Sequence, residues 1–245
     1  MPIERNAEMY EGELTEIYDC IQADRGKDYA GEARLVADLV RARNPEAGSV
    51  LDVASGTGSH LRYLRADFPD AAGLDQSPEM IALAERHIPE ITMHQGDMRN
   101  FDLGRTFDVI TLMYSSIAYV DDYPDLVRAL AALGRHLGPG GVLVIEPWEF
   151  PDSVAVDDLA TDLIQNDEGA LTRFSHAVRE EDAVVMTVHY LVATPERGIR
   201  HLTDRHRLAL FTREQYLAAF AAAGCPAEFV RPEPFGLGLF IGVKQ

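Results

Sequence analysis

Apolar residues recur along this chain in two alternating rhythms, short continuous runs and stretches in which they return every three or four positions. Leu14, Ile17, Tyr18 and Ile21 share one helical face and predict a helix over 8–20. Gly26 interrupts. Ala30, Ala33, Leu35, Val36, Leu39 and Val40 then form the broad face of a second helix over 28–43, which Asn44-Pro45 ends. From there strands and helices alternate. Strands are predicted at 49–54, 72–75, 91–94, 107–113 and 142–146, with helices over 58–67, 77–87 and 123–137 between them. Ser77 caps the second of these helices with Pro78 in its first turn, and Gly138-Pro139-Gly140-Gly141 stops the third. A βαβ rhythm of this length implies a parallel sheet wrapped by helices through right-handed crossovers.

The rhythm then changes. Residues 171–178, 183–192 and 199–211 read as successive strands joined by Glu181-Asp182 and by 195–198, which predicts an antiparallel patch. Thr212 caps a helix to about 222, Gly224 ends it, and 229–230 with 238–243 predict a terminal hairpin. The expected fold is a doubly wound, Rossmann-like α/β domain with a mostly parallel sheet and an antiparallel inserted β lid. One domain is expected over 1–245, with 1–44 as an N-terminal helical cap. The lid, 151–210, is too short to hold a substantial core alone.

Composition narrows the function. The chain of 245 residues is 47% apolar and 25% charged, ordinary for a globular domain, and its formal net charge is -18. That charge disfavours a nucleic-acid backbone as partner, since such binding needs Lys and Arg to displace counterions. No apolar run reaches the roughly 20 residues of a membrane span, and the start MPIERNAEMYEGELTE lacks a signal-peptide core. The expectation is a cytoplasmic protein with no membrane partner. Cys20 and Cys225 have no metal or CxxC spacing and read as reduced thiols. The eight histidines are scattered without ligand spacing, so no metal is expected.

Chemistry concentrates in LDVASGTGSHL, residues 51–61. A strand ends in Asp52, and Gly56 and Gly58 precede a helix. Glycines there let the backbone turn tightly and approach a ligand, and the helix start behind them offers free N–H groups. Asp75 lies at the end of the second strand, where an acid accepts hydrogen bonds from ribose hydroxyls. A dinucleotide site usually needs a third glycine in GxGxxG, and Leu61 occupies that position. With the further acid Asp97, the pattern suits an adenosine cofactor without a pyrophosphate.

At these residues the chain resembles the class I S-adenosylmethionine-dependent methyltransferases, through the 51–61 loop, Asp75, Gly96-Asp97-Met98 and Pro139-Gly140-Gly141. The resemblance implies S-adenosylmethionine as cofactor, held by Tyr18, Tyr29, Ala54, Gly56, Gly58, Asp75, Gln76, Asp97, Met98 and Met113. Further stretches extend the likeness almost end to end: RGKDY at 25–29, MHQGDMR at 93–99, YSSIA at 114–118, IEPW at 145–148, HYLVA at 189–193, LFTREQY at 210–216 and GLFIG at 238–242. In these the chain is similar to the N,N-dimethyltransferases of nucleotide-linked 3-amino sugars, such as those making desosamine and mycaminose. This likeness implies catalytic roles for Tyr10 and Tyr119. It implies an acceptor lined by Trp148, Glu149, Ser175, His176, Arg179, Phe235 and Leu237. Aromatic residues at helical spacing, Tyr18 among them, also read as core, and His176 reads as structural as readily as functional.

Two departures bear on the acceptor. Glu149 stands in EPWEF where the family has an aromatic, and Leu237 stands in PFGLGLF where the family has Arg. That Arg would be a natural partner for a diphosphate, so the rim becomes more apolar here. A nucleotide-linked amino sugar is the leading acceptor. Another natural-product scaffold, methylated on O, N or C or cyclised with release of adenosylhomocysteine, is the alternative. A non-catalytic cofactor sensor is a third reading, separated by whether adenosylhomocysteine is released. Monomer and homodimer both remain open.

Overall fold

The computed structural model describes Ile17, Ile21 and residues 26–154, 159–166 and 169–245. Tyr10, Tyr18, Cys20 and nearly all of the predicted first helix lie outside the described residues. Helix α1, Tyr29–Arg41, starts where Asp28 accepts a hydrogen bond from the Gly31 N–H (2.9 Å) and buries Ala33, Val36, Ala37 and Val40. A cap of this kind stabilises by about 1 kcal/mol.

The alternation then unfolds as β1 (Ser49–Val53), α2 (Leu61–Leu64), β2 (Asp70–Asp75), α3 (Pro78–His87), β3 (Thr92–Gln95), β4 (Phe107–Leu112), a 3₁₀ turn (Ser116–Tyr119), α4 (Tyr123–Arg135) and β5 (Leu137–Ile145). The second half holds β6 (Leu159–Asn166), β7 (Gly169–Arg179), β8 (Ala183–Thr194), β9 (Gly198–Ala209), α5 (Arg213–Ala222), β10 (Ala227–Val230) and β11 (Leu239–Val243). Seven strands form the main sheet in the order β10-β11-β5-β4-β1-β2-β3. The pairs among β1 to β5 are parallel, and β11 runs antiparallel to both β5 and β10.

Strand periodicity builds both faces of this sheet. Leu51, Ile110, Leu143 and Ile145 point to one side and pack with Leu126, Leu130 and Leu133 of α4 and Phe220 of α5. Their neighbours Val50, Val109, Val142 and Val144 point to the other and pack with Val36 and Val40 of α1, Leu61 and Phe68. Both faces are therefore covered, which is why the parallel strands read as unbroken apolar runs.

Three expectations change. The helix predicted over 58–67 shrinks to α2, because Gly58 adopts φ +80° and the chain is still turning through His60. Gly138–Gly141 does not stop α4, which ends at Arg135. It runs inside β5, where Gly140 donates to the Lys244 carbonyl and Lys244 to the Gly141 carbonyl. The antiparallel patch has four strands, β6-β7-β8-β9 in order, since β6 precedes the three predicted ones. Thr212 forms a full capping box with Gln215, as its sequence position suggests.

Candidate cofactor and acceptor site

The strand order reverses between β1 and β4, and a doubly wound sheet binds ligands beyond its carboxyl edge at such a point. A cleft of about 670 Å³ opens there, lined by Ala54, Gly56, Leu74, Asp75, Gln76, Ser77, Met80, Gly96, Met98, Ser116 and Tyr119. A narrower one of about 380 Å³ continues from Ala54, Gly56 and Ser116 to Tyr29, Asp52, Thr57, His60, Met113 and Tyr114.

The loop after β1 makes the floor. Ala54 and Gly56 adopt φ of +55° and +54°, and a side chain on Gly56 would project into open space with only Met80 Sδ at 4.0 Å. Such a cradle admits a ligand against bare backbone. Gly58 has a different task, since a Cβ there would come within 2.6 Å of Ile88. It sets how closely the loop packs on the end of α3.

Asp75 is almost buried. Its Oδ2 accepts from the Gly56 N–H (2.8 Å) and its Oδ1 from the Ser77 N–H (2.9 Å), which ties the loop to the second strand. The carboxylate keeps acceptor capacity for a ribose hydroxyl. Burial raises the Asp75 pKa, against backbone hydrogen bonds from Ser77, Gly56 and Gln76. Burial also lifts Asp52 to about 6, although Thr111 donates to it at 2.7 Å. Beside Asp52, His60 Nε2 lies 2.8 Å from Glu32 Oε2 and Lys27 Nζ 2.7 Å from Glu32 Oε1, so polar groups that could orient an amino-acid moiety are fixed from α1. Sequence reasoning singled out none of Lys27, Glu32 and His60, although Lys27 lies within RGKDY and His60 within the 51–61 loop.

The other sequence-predicted residues scatter. Tyr29, Met98, Gln76 and Met113 line the clefts. Asp97 does not. Its carboxylate is gripped by Arg99 (2.6 Å), which also reaches Asp121 (3.2 Å) and Asp125 (3.1 Å). Burial alone would raise the Asp97 pKa, but the Arg99 hydrogen bonds and charge outweigh it and hold the group low. Asp97 thus anchors the loop whose neighbours Gly96 and Met98 touch the cleft. Trp148 and Glu149 are half-buried just after β5. The β10–β11 loop lies at the same carboxyl edge, because Phe240 pairs with Ile145 at the end of β5. Leu237 is half-buried in that loop, whereas Phe235 is turned into the core with Leu239 and Ile241. Ser175 is buried on the inner face of the second sheet. His176 follows it in the strand and so faces outward, exposed, away from the clefts. Arg179, at the end of β7, donates to the Pro151 carbonyl at 3.0 Å.

The second sheet reaches the site through β9. Tyr119 Oη lies 3.0 Å from His206 Nδ1, and Arg207 donates to the Asp121 carbonyl at 2.9 Å. No cluster of metal-ligating side chains occurs among the described residues, and no described helix is long and apolar enough to cross a membrane.

The bare-backbone cradle, the buried acid at the second strand and the switch-point clefts fit S-adenosylmethionine, and a methyltransferase-domain family model matches residues 50–141. Fold and site define an S-adenosylmethionine-dependent methyltransferase. Over 235 residues the chain is 47% identical to the dTDP-3-amino-3,4,6-trideoxy-alpha-D-glucopyranose N,N-dimethyltransferase of Streptomyces venezuelae, covering 96% of this chain and 99% of that one. The crystal structure of Streptomyces venezuelae DesVI superposes with a TM-score of 0.91 at 46% identity, over 96% of this chain and all of the other. A second solved structure is that of S-adenosylmethionine-bound CalS10, an amino pentose methyltransferase from Micromonospora echinaspora. It gives a TM-score of 0.86 at 38% identity, over 97% of this chain and 99% of that one. The chain belongs to the family of dTDP-amino-sugar N,N-dimethyltransferases.

Proposed function

We propose that this protein transfers two methyl groups in succession to the amine of a dTDP-linked amino sugar in the biosynthesis of a natural product. The near end-to-end identity with an enzyme of that activity carries the reading. Bound S-adenosylmethionine supplies a methyl carbon activated by its sulfonium. The chain's own part is to hold the acceptor in line with it. Asp75 fastens the cofactor side, Tyr119 sits where the cleft meets the second sheet, and the β10–β11 loop supports the nucleotide side from the same edge. Orientation of this kind supplies up to about 7–11 kcal/mol in well-aligned reactions.

The assay is incubation with S-adenosylmethionine and a dTDP-3-amino-sugar, read by mass spectrometry. Successive addition of two methyl groups with release of adenosylhomocysteine is the expected result, and an unmodified sugar refutes it. Leu237→Arg is expected to tighten the sugar nucleotide about tenfold, since a charge-assisted contact to the diphosphate returns. Weaker binding instead points to an apolar acceptor, because an unpaired charge is then placed on an apolar wall.

The protein acts in the cytoplasm, as a homodimer and without nucleic acid. Leu159, Leu163, Phe174, Val178, Leu191 and Ile199 are all exposed and, by strand alternation, all lie on the outer face of the β6–β9 sheet. An apolar patch of this extent suits a second copy of the chain. Light scattering is expected to give twice the chain mass for the wild type and a single mass for the Leu163→Asp, Phe174→Asp double variant. A monomeric wild type rules the pairing out.

A further inference from the structure

Behind Tyr119 lies a polar line that the cofactor and acceptor residues do not account for. Tyr119 lines the larger cleft and its hydroxyl oxygen is 3.0 Å from His206 Nδ1. The opposite ring nitrogen of His206, Nε2, is 3.3 Å from Asp204 Oδ2. Asp204 and His206 are two residues apart on β9, so strand alternation puts both on the inner face of the second sheet. Both are buried, at 5% and 2% exposed. Asp204 Oδ1 accepts from the Arg205 N–H (2.9 Å), and Oδ2, although close to Nε2, makes no hydrogen bond to His206 or to any other described residue, so it acts on the ring through its charge. Hydrophobic burial of a carboxylate and an imidazole costs several kcal/mol unless they serve each other.

Resting on the amine acceptor proposed above, we propose that Tyr119, His206 and Asp204 form a relay that takes the proton from the acceptor nitrogen. Each methyl transfer to an ammonium group must release one proton. A nitrogen–carbon bond forms, the sulfur–carbon bond breaks, and one N–H proton leaves so that nitrogen has a lone pair for the attack. The Asp204 carboxylate favours a proton on Nε2, which leaves Nδ1 to accept from the Tyr119 hydroxyl. Tyr119 itself lines the cleft in which the amine would sit. As it takes the amine proton it passes its own to Nδ1, and the imidazolium formed is held by Asp204 until product leaves and water takes the proton. The second methylation repeats the step, because the monomethylated amine is again an ammonium.

The charged groups facing His206 come from two strands. Asp204 on β9 favours the imidazolium. Arg173 on β7, which donates to Ser175 (3.0 Å) and Asp162 (3.4 Å), disfavours it. Burial, the largest influence, also lowers the His206 pKa, so the ring rests neutral at pH 7 and is ready to accept. Tyr119 is the group that touches the acceptor, and His206 and Asp204 are positioning residues that act through it.

The test is the pH dependence of turnover in His206→Gln, with the dTDP-amino sugar and S-adenosylmethionine saturating. At pH 7 turnover is expected to fall about tenfold to hundredfold, within the range for lost proton transfer, and to recover toward wild type as pH rises and the amine ionises unaided. Asp204→Asn is expected to shift the profile the same way, and His206→Gln to cost little more once Tyr119→Phe is present. A loss equal at every pH, or no loss, overturns the relay. Nitrogen NMR of labelled histidine in the folded enzyme reads the relay without any acceptor. His206 is expected neutral with its proton on Nε2 at pH 7, and its Nδ1 signal to move in Tyr119→Phe. A charged ring or the opposite tautomer overturns the relay even if the wild type methylates no amine, an outcome that refutes only the acceptor.

Discussion

Replacing Asp75 with alanine is expected to weaken S-adenosylmethionine binding roughly ten- to hundredfold by titration calorimetry, the equivalent of losing about 1.5–3 kcal/mol from hydrogen bonds to a charged acceptor. The carboxylate does two things at once. It holds the Gly56 and Ser77 N–H groups, and it presents its remaining lone pairs to the cleft. Alanine removes the ribose contact and releases the loop, so adenosylhomocysteine should suffer equally. Undiminished binding in the variant contradicts the assignment. The raised pKa of Asp75 sets a sign for pH as well. The ionised form is the acceptor, so cofactor affinity should fall as pH drops through the Asp75 pKa, at a higher pH than for an ordinary aspartate. Asp75→Ala should lose that dependence along with the affinity.

Gly58→Val should act on stability first. Gly58 sits at φ +80°, where a β-branched residue is strained by about 1–2 kcal/mol, and its new side chain would collide with Ile88 Cδ1. Overpacking adds about 1–3 kcal/mol. In a chain of this length each kcal/mol lowers Tm by about 2–4 °C, so a drop of roughly 5–15 °C is the expected calorimetric result. An unchanged Tm would show that α3 yields freely at Ile88. Gly56→Ala makes a useful contrast. Alanine there is also strained, at φ +54°, but its Cβ meets almost nothing, so it should cost less stability than Gly58→Val and act mainly on cofactor affinity.

Local rules made much of this molecule legible from its sequence. Caps at Ser77 and Thr212 and the apolar runs of β1, β4 and β5 are set by neighbouring residues and by burial on both faces. The helix predicted over 58–67 is shorter than its apolar pattern suggests, because Gly58 at its start adopts a φ that no helix has. Strand β6 escaped notice because Leu159 and Leu163 lie on the outward face, and Ala160 and Asp162 weaken the inward one. In the site, Asp97 looked like a ligand acid, yet Arg99 two residues on was the signal that its charge was already matched. Phe235 looked like a rim residue because one residue decides whether a loop side chain turns inward. His206 stands 87 residues from Tyr119, a separation that only the docking of β9 closes. No spacing rule reaches that far.

Asp121 carries an implication for anyone recombining these enzymes. Its side chain takes Arg99 from the segment beside the cofactor cleft, and its carbonyl takes Arg207 from β9. One residue thus joins the cofactor cleft to the β6–β9 sheet. A chimera that receives 151–210 from a relative is expected to keep its grip on the cofactor loop only if the graft brings an arginine to position 207. Breakpoints drawn on either side of Asp121 without that match should yield proteins that fold and bind the donor poorly.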